Sequence, residues 1–142
     1  MRRLFVIVSG VLLAAFALQF VFAAVGAFTE PGGDDSYALH SITGMAIIPA
    51  LCLLTILCAV LARAPGRVVG LTVLPLGLVI LQALIAMLAG AFTDASGAST
   101  PVSLTIGGLH AVNGIIAVHV VVGVMRAAKM LADDVPVPQG VA

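Results

Sequence analysis

Three histidines are the residues of this 142-residue chain best suited to chemistry, because they are the only groups within its long apolar stretches that take up charge near neutral pH. An ionisable side chain at membrane depth is costly and marks a functional hypothesis. Two of the three recur in one pattern. His40 is followed by Gly44 in His40-Ser41-Ile42-Thr43-Gly44, and His110 by Gly114 in His110-Ala111-Val112-Asn113-Gly114. Residues four apart lie on one helix face, one turn from each other. The glycine therefore removes side-chain bulk beside the imidazole, and Gly107, three residues before His110, clears the turn on its other side.

A planar cofactor held between two axial ligands has these needs: a nitrogen from each side and missing side chains along the ring. Haem iron accepts His ligands, and the axial set tunes its potential. The pair thus points to haem b with His40 and His110 as metal ligands and Gly44, Gly114 and Gly107 lining the ring. A ligating His usually has its second ring nitrogen held by an acceptor; Ser41, Thr43, Asn113 or a backbone carbonyl would serve. The other reading stays open. Histidine and glycine in membrane helices also pack helices and exchange hydrogen bonds. His119 lies nine residues past His110, about two and a half turns on and ~13 Å deeper. It reads as a packing or hydrogen-bonding residue on the opposite face, or as a ligand for a second cofactor.

Gln19, Gln82 and Asn113 are the expected interhelical hydrogen-bonding set, and Pro49 and Pro75 are expected to bend their helices. Cys52 and Cys58 lie six apart on one helix and cannot bridge each other. No CxxC or CxxCH motif occurs, which disfavours thiol-redox chemistry and covalent haem attachment. The apolar stretches 4–28, 39–62, 68–92 and 102–125 hold no Asp, Glu, Lys or Arg, which disfavours a proton-coupled transporter.

Helices must position these residues. Crossing ~30 Å of hydrocarbon takes about 20 apolar residues, and four stretches qualify: 4–28, 37–62, 68–92 and 102–128, in one domain over residues 1–132. Residues 133–142 read as a flexible cytoplasmic tail. Asp34, Asp35 and Ser36 are expected to cap the second span, and Thr100-Pro101 the fourth. Arg63-Ala64-Pro65-Gly66-Arg67 is a tight turn that makes the second and third spans antiparallel neighbours. All six Lys and Arg (Arg2, Arg3, Arg63, Arg67, Arg126, Lys129) fall on one side of this topology, whereas Glu30, Asp34, Asp35 and Asp94 fall on the other. The positive-inside rule then puts both termini in the cytoplasm. The first apolar stretch is too long for the h-region of a cleaved signal peptide.

The chain also reads as a duplication. Gly26-Ala27-Phe28-Thr29-Glu30 matches Gly90-Ala91-Phe92-Thr93-Asp94, Gln19 matches Gln82, and His40 matches His110. The expected fold class is therefore all-α: a four-helix transmembrane bundle, up-down-up-down, built from two parallel-repeat helical hairpins. In such a bundle the second and fourth helices sit diagonally, and their histidines face each other across the core. One mismatch stands in the numbering. His40 precedes Arg63 by 23 residues but His110 precedes Arg126 by only 16 and Lys129 by 19. That is a depth offset of roughly 6–10 Å, which tilt, the Pro49 kink or an extension of the last helix would have to absorb.

Composition excludes other classes. The chain is 62% apolar and 8% charged, with zero net charge and mean hydropathy +1.27. A soluble domain carries about 25% charged residues. No basic excess holds phosphates, and one Tyr and no Trp leave little to stack on bases, so no nucleic-acid partner is expected.

Four short-looped spans, with His40-x-x-x-Gly44 in the second and Leu109-His110-x-x-Asn113-Gly114 in the fourth, resemble a family of small bacterial integral membrane proteins of unknown function. That resemblance covers about Leu4 to Lys129 and implies a bacterial cytoplasmic-membrane location and a topology, without an activity. More distantly, the histidine placement is similar to membrane b-type cytochromes and to one half of haem A synthase, which implies His40 and His110 as ligands. The haem A synthase half has Glu-x-x-His-Arg around its ligand. Here Tyr37, Ala38, Leu39, His40 and Ser41 stand in those places, without the acid and the arginine. The expectation is an electron carrier rather than an enzyme, working with a quinone or a redox membrane partner. The alternative is a non-catalytic membrane subunit or assembly factor with structural histidines.

Overall fold

The computed structural model describes residues 1–30 and 35–133. Four helices carry almost all of them: α1 (Arg2–Phe28), α2 (Ala38–Leu61), α3 (Gly66–Ala91) and α4 (Pro101–Asp133). Each is long and apolar enough to cross a membrane, and no strand occurs among the described residues. Large apolar side chains cover the outside as well as the inside. Leu53, Leu54, Leu57, Val60 and Leu61 of α2 are all exposed. Helices that are apolar all round fit a bilayer, where lipid covers the outer face.

The bundle runs up-down-up-down. Around the ring α1 packs on α2 and α4, and α3 packs on the same two, so α2 and α4 are diagonal, as are α1 and α3. The basic residues gather toward one end. The packed core fills that half in two layers: Phe5, Val8, Cys58, Val124 and Ala128 nearest the basic end, then Leu12, Phe16, Ile48, Cys52 and Val121 above them. Ala59, Ala62 and Ala128 let the backbones approach closely. The other half, toward Glu30 and Asp94, holds a cavity.

The helix ends differ from expectation in two places. α2 starts at Ala38 with Tyr37 at the N-cap position and no side-chain cap; Asp35 contributes its backbone carbonyl to the Ala38 N–H. Asp34, expected as a cap, lies outside the described residues. Second, α4 runs well past Arg126 and Lys129 to Asp133, because Ala127-Ala128-Lys129-Met130-Leu131-Ala132 is a run of good helix formers. Asp133 stands 23 residues beyond His110, as Arg63 stands 23 beyond His40, so the overhang of α4 absorbs the depth offset. The rest of the tail, 134–142, lies outside the described residues.

At the start of α4, Thr100 Oγ1 accepts from the Ser103 N–H at 3.2 Å while Ser103 Oγ accepts from the Thr100 N–H at 2.9 Å. This is a reciprocal capping box with serine in the return role. The α2–α3 turn closes with Arg63 in the left-handed region at φ 54°.

Pro49 acts through the turn before it. Thr43–Ile47 is a π-helical turn, with the Ile48 N–H reaching back five residues to the Thr43 carbonyl. Proline lacks the N–H that an α-helix would offer to residue 45, and its ring crowds that carbonyl. The wider turn relieves both. Pro75, by contrast, is buried inside a continuous α3.

Candidate functional site

The two matched histidines converge. Their ring centroids lie 6.2 Å apart, with the planes tilted by 48°. Both line a cavity of about 510 Å³ in the half of the bundle away from the basic end. Its floor is the upper core layer, where Phe16, Ile48 and Ala117 serve as core and as wall. Ala23, Ala83 and Ala86 keep the flanks on α1 and α3 thin. Met45 and Met87 also line it and are 75% and 72% exposed, so the cavity reaches the outer surface beside them.

Each ring is anchored the same way. His40 Nδ1 lies 3.1 Å from the Gln19 backbone carbonyl, and His110 Nδ1 lies 3.2 Å from that of Gln82. A carbonyl oxygen only accepts, so Nδ1 carries the proton and donates in both neutral rings. That leaves each Nε2 with a lone pair, and neither Nε2 makes a hydrogen bond among the described residues. The glutamines answer in kind. Gln19 Nε2 donates to the His40 carbonyl at 3.1 Å, and Gln82 Nε2 to the His110 carbonyl at 2.7 Å. One His–Gln clamp thus ties α1 to α2, and its copy ties α3 to α4.

The copies differ in how the glutamine Oε1 is held. Asn113, buried on α4, donates from Nδ2 to the Leu78 carbonyl at 3.0 Å and to Gln82 Oε1. Thr43 stands at the matching position of the first repeat, and there Gln19 Oε1 is buried without a hydrogen-bond partner.

Of the three glycines read in the sequence, Gly44 and Gly114 line the cavity. A Cβ on Gly44 would sit 2.5 Å from Gln19 Nε2, so Gly44 makes room for the clamp itself. Gly114 lines the cavity, and a Cβ there would meet only ordinary contacts with Gln82 and Phe20. Gly107 does not line this cavity; it borders a separate shallow hollow with Ala89, Gly90 and Ser103. The Tyr37 ring stands edge-on to His40, with centroids 6.5 Å apart. Gly26 admits that ring, since a Cβ there would lie 2.5 Å from Tyr37 Cδ1 and 2.9 Å from the Ser36 carbonyl.

His119 is outside the site. It is exposed on α4, and its Nδ1 bonds the Ile115 carbonyl of its own helix at 2.8 Å. It packs against no neighbouring helix through that bond. The cysteines are free and buried in separate core layers. Among the described residues no cluster of three or more His, Cys, Asp or Glu could hold a metal ion. A metal in this cavity would therefore need further donors from a cofactor. Reasoning from sequence paired the right residues but missed that glutamine binds the histidine's carbonyl, and missed Met45 and Met87 at the mouth.

The family of unknown function DUF6220 matches residues 19–94, more than half of the chain. The chain belongs to that family. The DUF6220 match begins at Gln19, takes in His40, Gly44 and Gln82, and closes at Asp94, before α4. It is shorter than the whole-bundle coverage expected from the motifs and brings no activity with it. No curated protein and no solved structure matches, and no likeness to membrane cytochromes is shown.

Proposed function

We propose that this protein binds one b-type haem between His40 and His110 and carries single electrons in the membrane. The observation that supports this most is the pair of imidazoles 6.2 Å apart, each with Nδ1 donated to a backbone carbonyl and Nε2 unclaimed. Zinc–imidazole bonds are about 2.0–2.1 Å long, and two imidazoles on opposite sides of one metal at such distances have centroids roughly 6 Å apart. An Nδ1–H held by a carbonyl fixes the tautomer and raises the basicity of the other nitrogen, as ligating histidines require. Cofactor sites are mostly apolar and span roughly 300–1,000 Å³, and the cavity's size and its alanine, methionine and phenylalanine walls suit a porphyrin. Among the described residues no Asp, Glu, Lys or Arg lines the cavity, and electron transfer fits such a site better than catalysis. A quinone or a redox membrane protein would be the exchange partner. The basic end faces the cytoplasm of a bacterial inner membrane by the positive-inside rule, which puts the haem nearer the outer face.

The clamps themselves favour a second reading. Each one staples two helices whether or not a ligand is present, which is what a structural membrane subunit needs. An optical spectrum of the detergent-purified protein, expressed with haem supply and titrated with dithionite, separates the two. Electron transfer requires a Soret band that shifts on reduction and is lost in His110→Ala. A folded, colourless protein that takes up no added haem leaves the structural reading.

A further inference from the structure

We propose that the two histidines are unequal ligands, His110 permanent and His40 displaceable, so that the reduced site takes a small neutral diatomic such as carbon monoxide on the α2 side. This rests on the haem reading above. Four differences between the repeats carry it.

The first is bracing. Gln82 is held at both ends of its amide: Nε2 by the His110 carbonyl and Oε1 by Asn113, which is itself tied to Leu78. Gln19 is held only at Nε2, with Oε1 buried and unpaired. An unpaired buried acceptor costs free energy that any rearrangement giving it a donor recovers. The second is backbone. His110 sits in an uninterrupted α-helix, whereas the π turn Thr43–Ile47 begins three residues after His40. Such a turn holds a residue more than an α-turn does, and closing or moving it rotates the segment ahead by one residue, about 100°. That motion would swing His40 away from the cavity.

The third is position. His40 lies in the first turn of α2, which has no side-chain cap, while His110 is the tenth residue of α4, behind a capping box. Helix ends open more readily than helix interiors. The fourth is steric: a Cβ on Gly44 would lie 2.5 Å from Gln19 Nε2 while one on Gly114 would meet Gln82 Nε2 at 3.6 Å, so Gln19 packs directly on the π turn and Gln82 stands off its helix.

The exchange balances without redox chemistry. Iron stays ferrous. The dative bond from His40 Nε2 breaks, that nitrogen keeps its lone pair, and a dative bond from the carbon of carbon monoxide forms. No proton or electron is transferred.

The test uses the haem-loaded, dithionite-reduced protein in detergent. Wild type is expected to form a carbon monoxide adduct. If an open state populated at roughly 1–10% gates the reaction, His40→Ala keeps its haem and binds carbon monoxide about 10- to 100-fold faster. His110→Ala is expected to lose haem. A reduced six-coordinate wild type that refuses carbon monoxide overturns the proposal, as does equal haem loss in both variants. A wild type with no Soret band instead ends the haem reading and this inference with it. Because either variant could misfold, amide hydrogen exchange on the unliganded wild type supplies a second measurement. Residues 38–47 are expected to exchange at least about tenfold faster than 108–117; equal protection overturns the asymmetry.

Discussion

Gln82 and His110 trade hydrogen bonds across α3 and α4: the glutamine amide donates to the histidine carbonyl at 2.7 Å, and the imidazole donates to the glutamine carbonyl at 3.2 Å. Only one of the two bonds uses the glutamine side chain. Gln82→Leu should therefore keep the His110 ring anchored while losing the bonds to the His110 carbonyl and Asn113. Interhelical hydrogen bonds in membranes are worth about 0.6 kcal/mol on average and up to about 1.7, so the expected loss is about 1–3 kcal/mol with Asn113 left partly unpaired. Reversible unfolding in mixed micelles checks it, and an unchanged midpoint would remove the clamp from the stability account.

Gly44 and Gly114 are matched in sequence but not in surroundings. Gly44→Ala pushes on the end of the Gln19 side chain, which is flexible but can retreat only by giving up the His40 carbonyl. The expected cost is about 1 kcal/mol, and Gly114→Ala should cost less. A double-mutant cycle makes the claim sharp: in a Gln19→Ala background the penalty of Gly44→Ala should vanish. An undiminished penalty would mean that the glycine serves something other than the glutamine.

Asp94 organises the loop between α3 and α4. Its carboxylate accepts from Ser96 Oγ at 2.6 Å and from the Ser96 and Ala98 N–H groups at 2.9 Å each. These bonds, the Ser96 hydroxyl first, hold the carboxyl below its ordinary range. A depressed folded pKa contributes order that is fully present above the ordinary carboxylate range and lost as pH falls through the lowered value. The Ser96 and Ala98 amides should thus stay protected at neutral pH and lose protection in acid. In Asp94→Asn, NMR-detected exchange should show no such acid transition.

His119→Leu should be close to neutral. The residue is exposed on α4 and bonds only its own helix, so an apolar side chain facing lipid loses little. The expected change in stability is within about 0.5 kcal/mol, with the optical spectrum unmoved. A shifted spectrum would place a second chromophore contact on the outer face of α4.

The fold was legible because membrane helices announce themselves by length: about 20 apolar residues between polar breaks leave few alternatives. The pairing of His40 with His110 was legible too, since duplication puts like residues at like depths. What the glutamines bind was not. Their partners are the carbonyls of His40 and Gln82's neighbour His110, and a carbonyl has no letter in a sequence. Gly44 was read as a wall of the cavity, which it is, but its contact with Gln19 was not legible, because nothing in residues 40–44 says that Gln19 crosses there. The end of α4 was read at 128, with an extension as only one of three ways to absorb the depth offset: Arg126 marks where charge begins, and charge does not stop a helix rich in alanine and leucine.

The repeated clamp bears on how such a molecule could arise. One hairpin contributes one glutamine, one histidine and half of the void, so two identical hairpins meeting about a two-fold axis would already enclose a complete chamber. Joining them in one polypeptide releases each half from having to mirror the other. Asn113 can then stand opposite Thr43, and a lopsided chamber, which a strict homodimer could not encode, becomes available to selection.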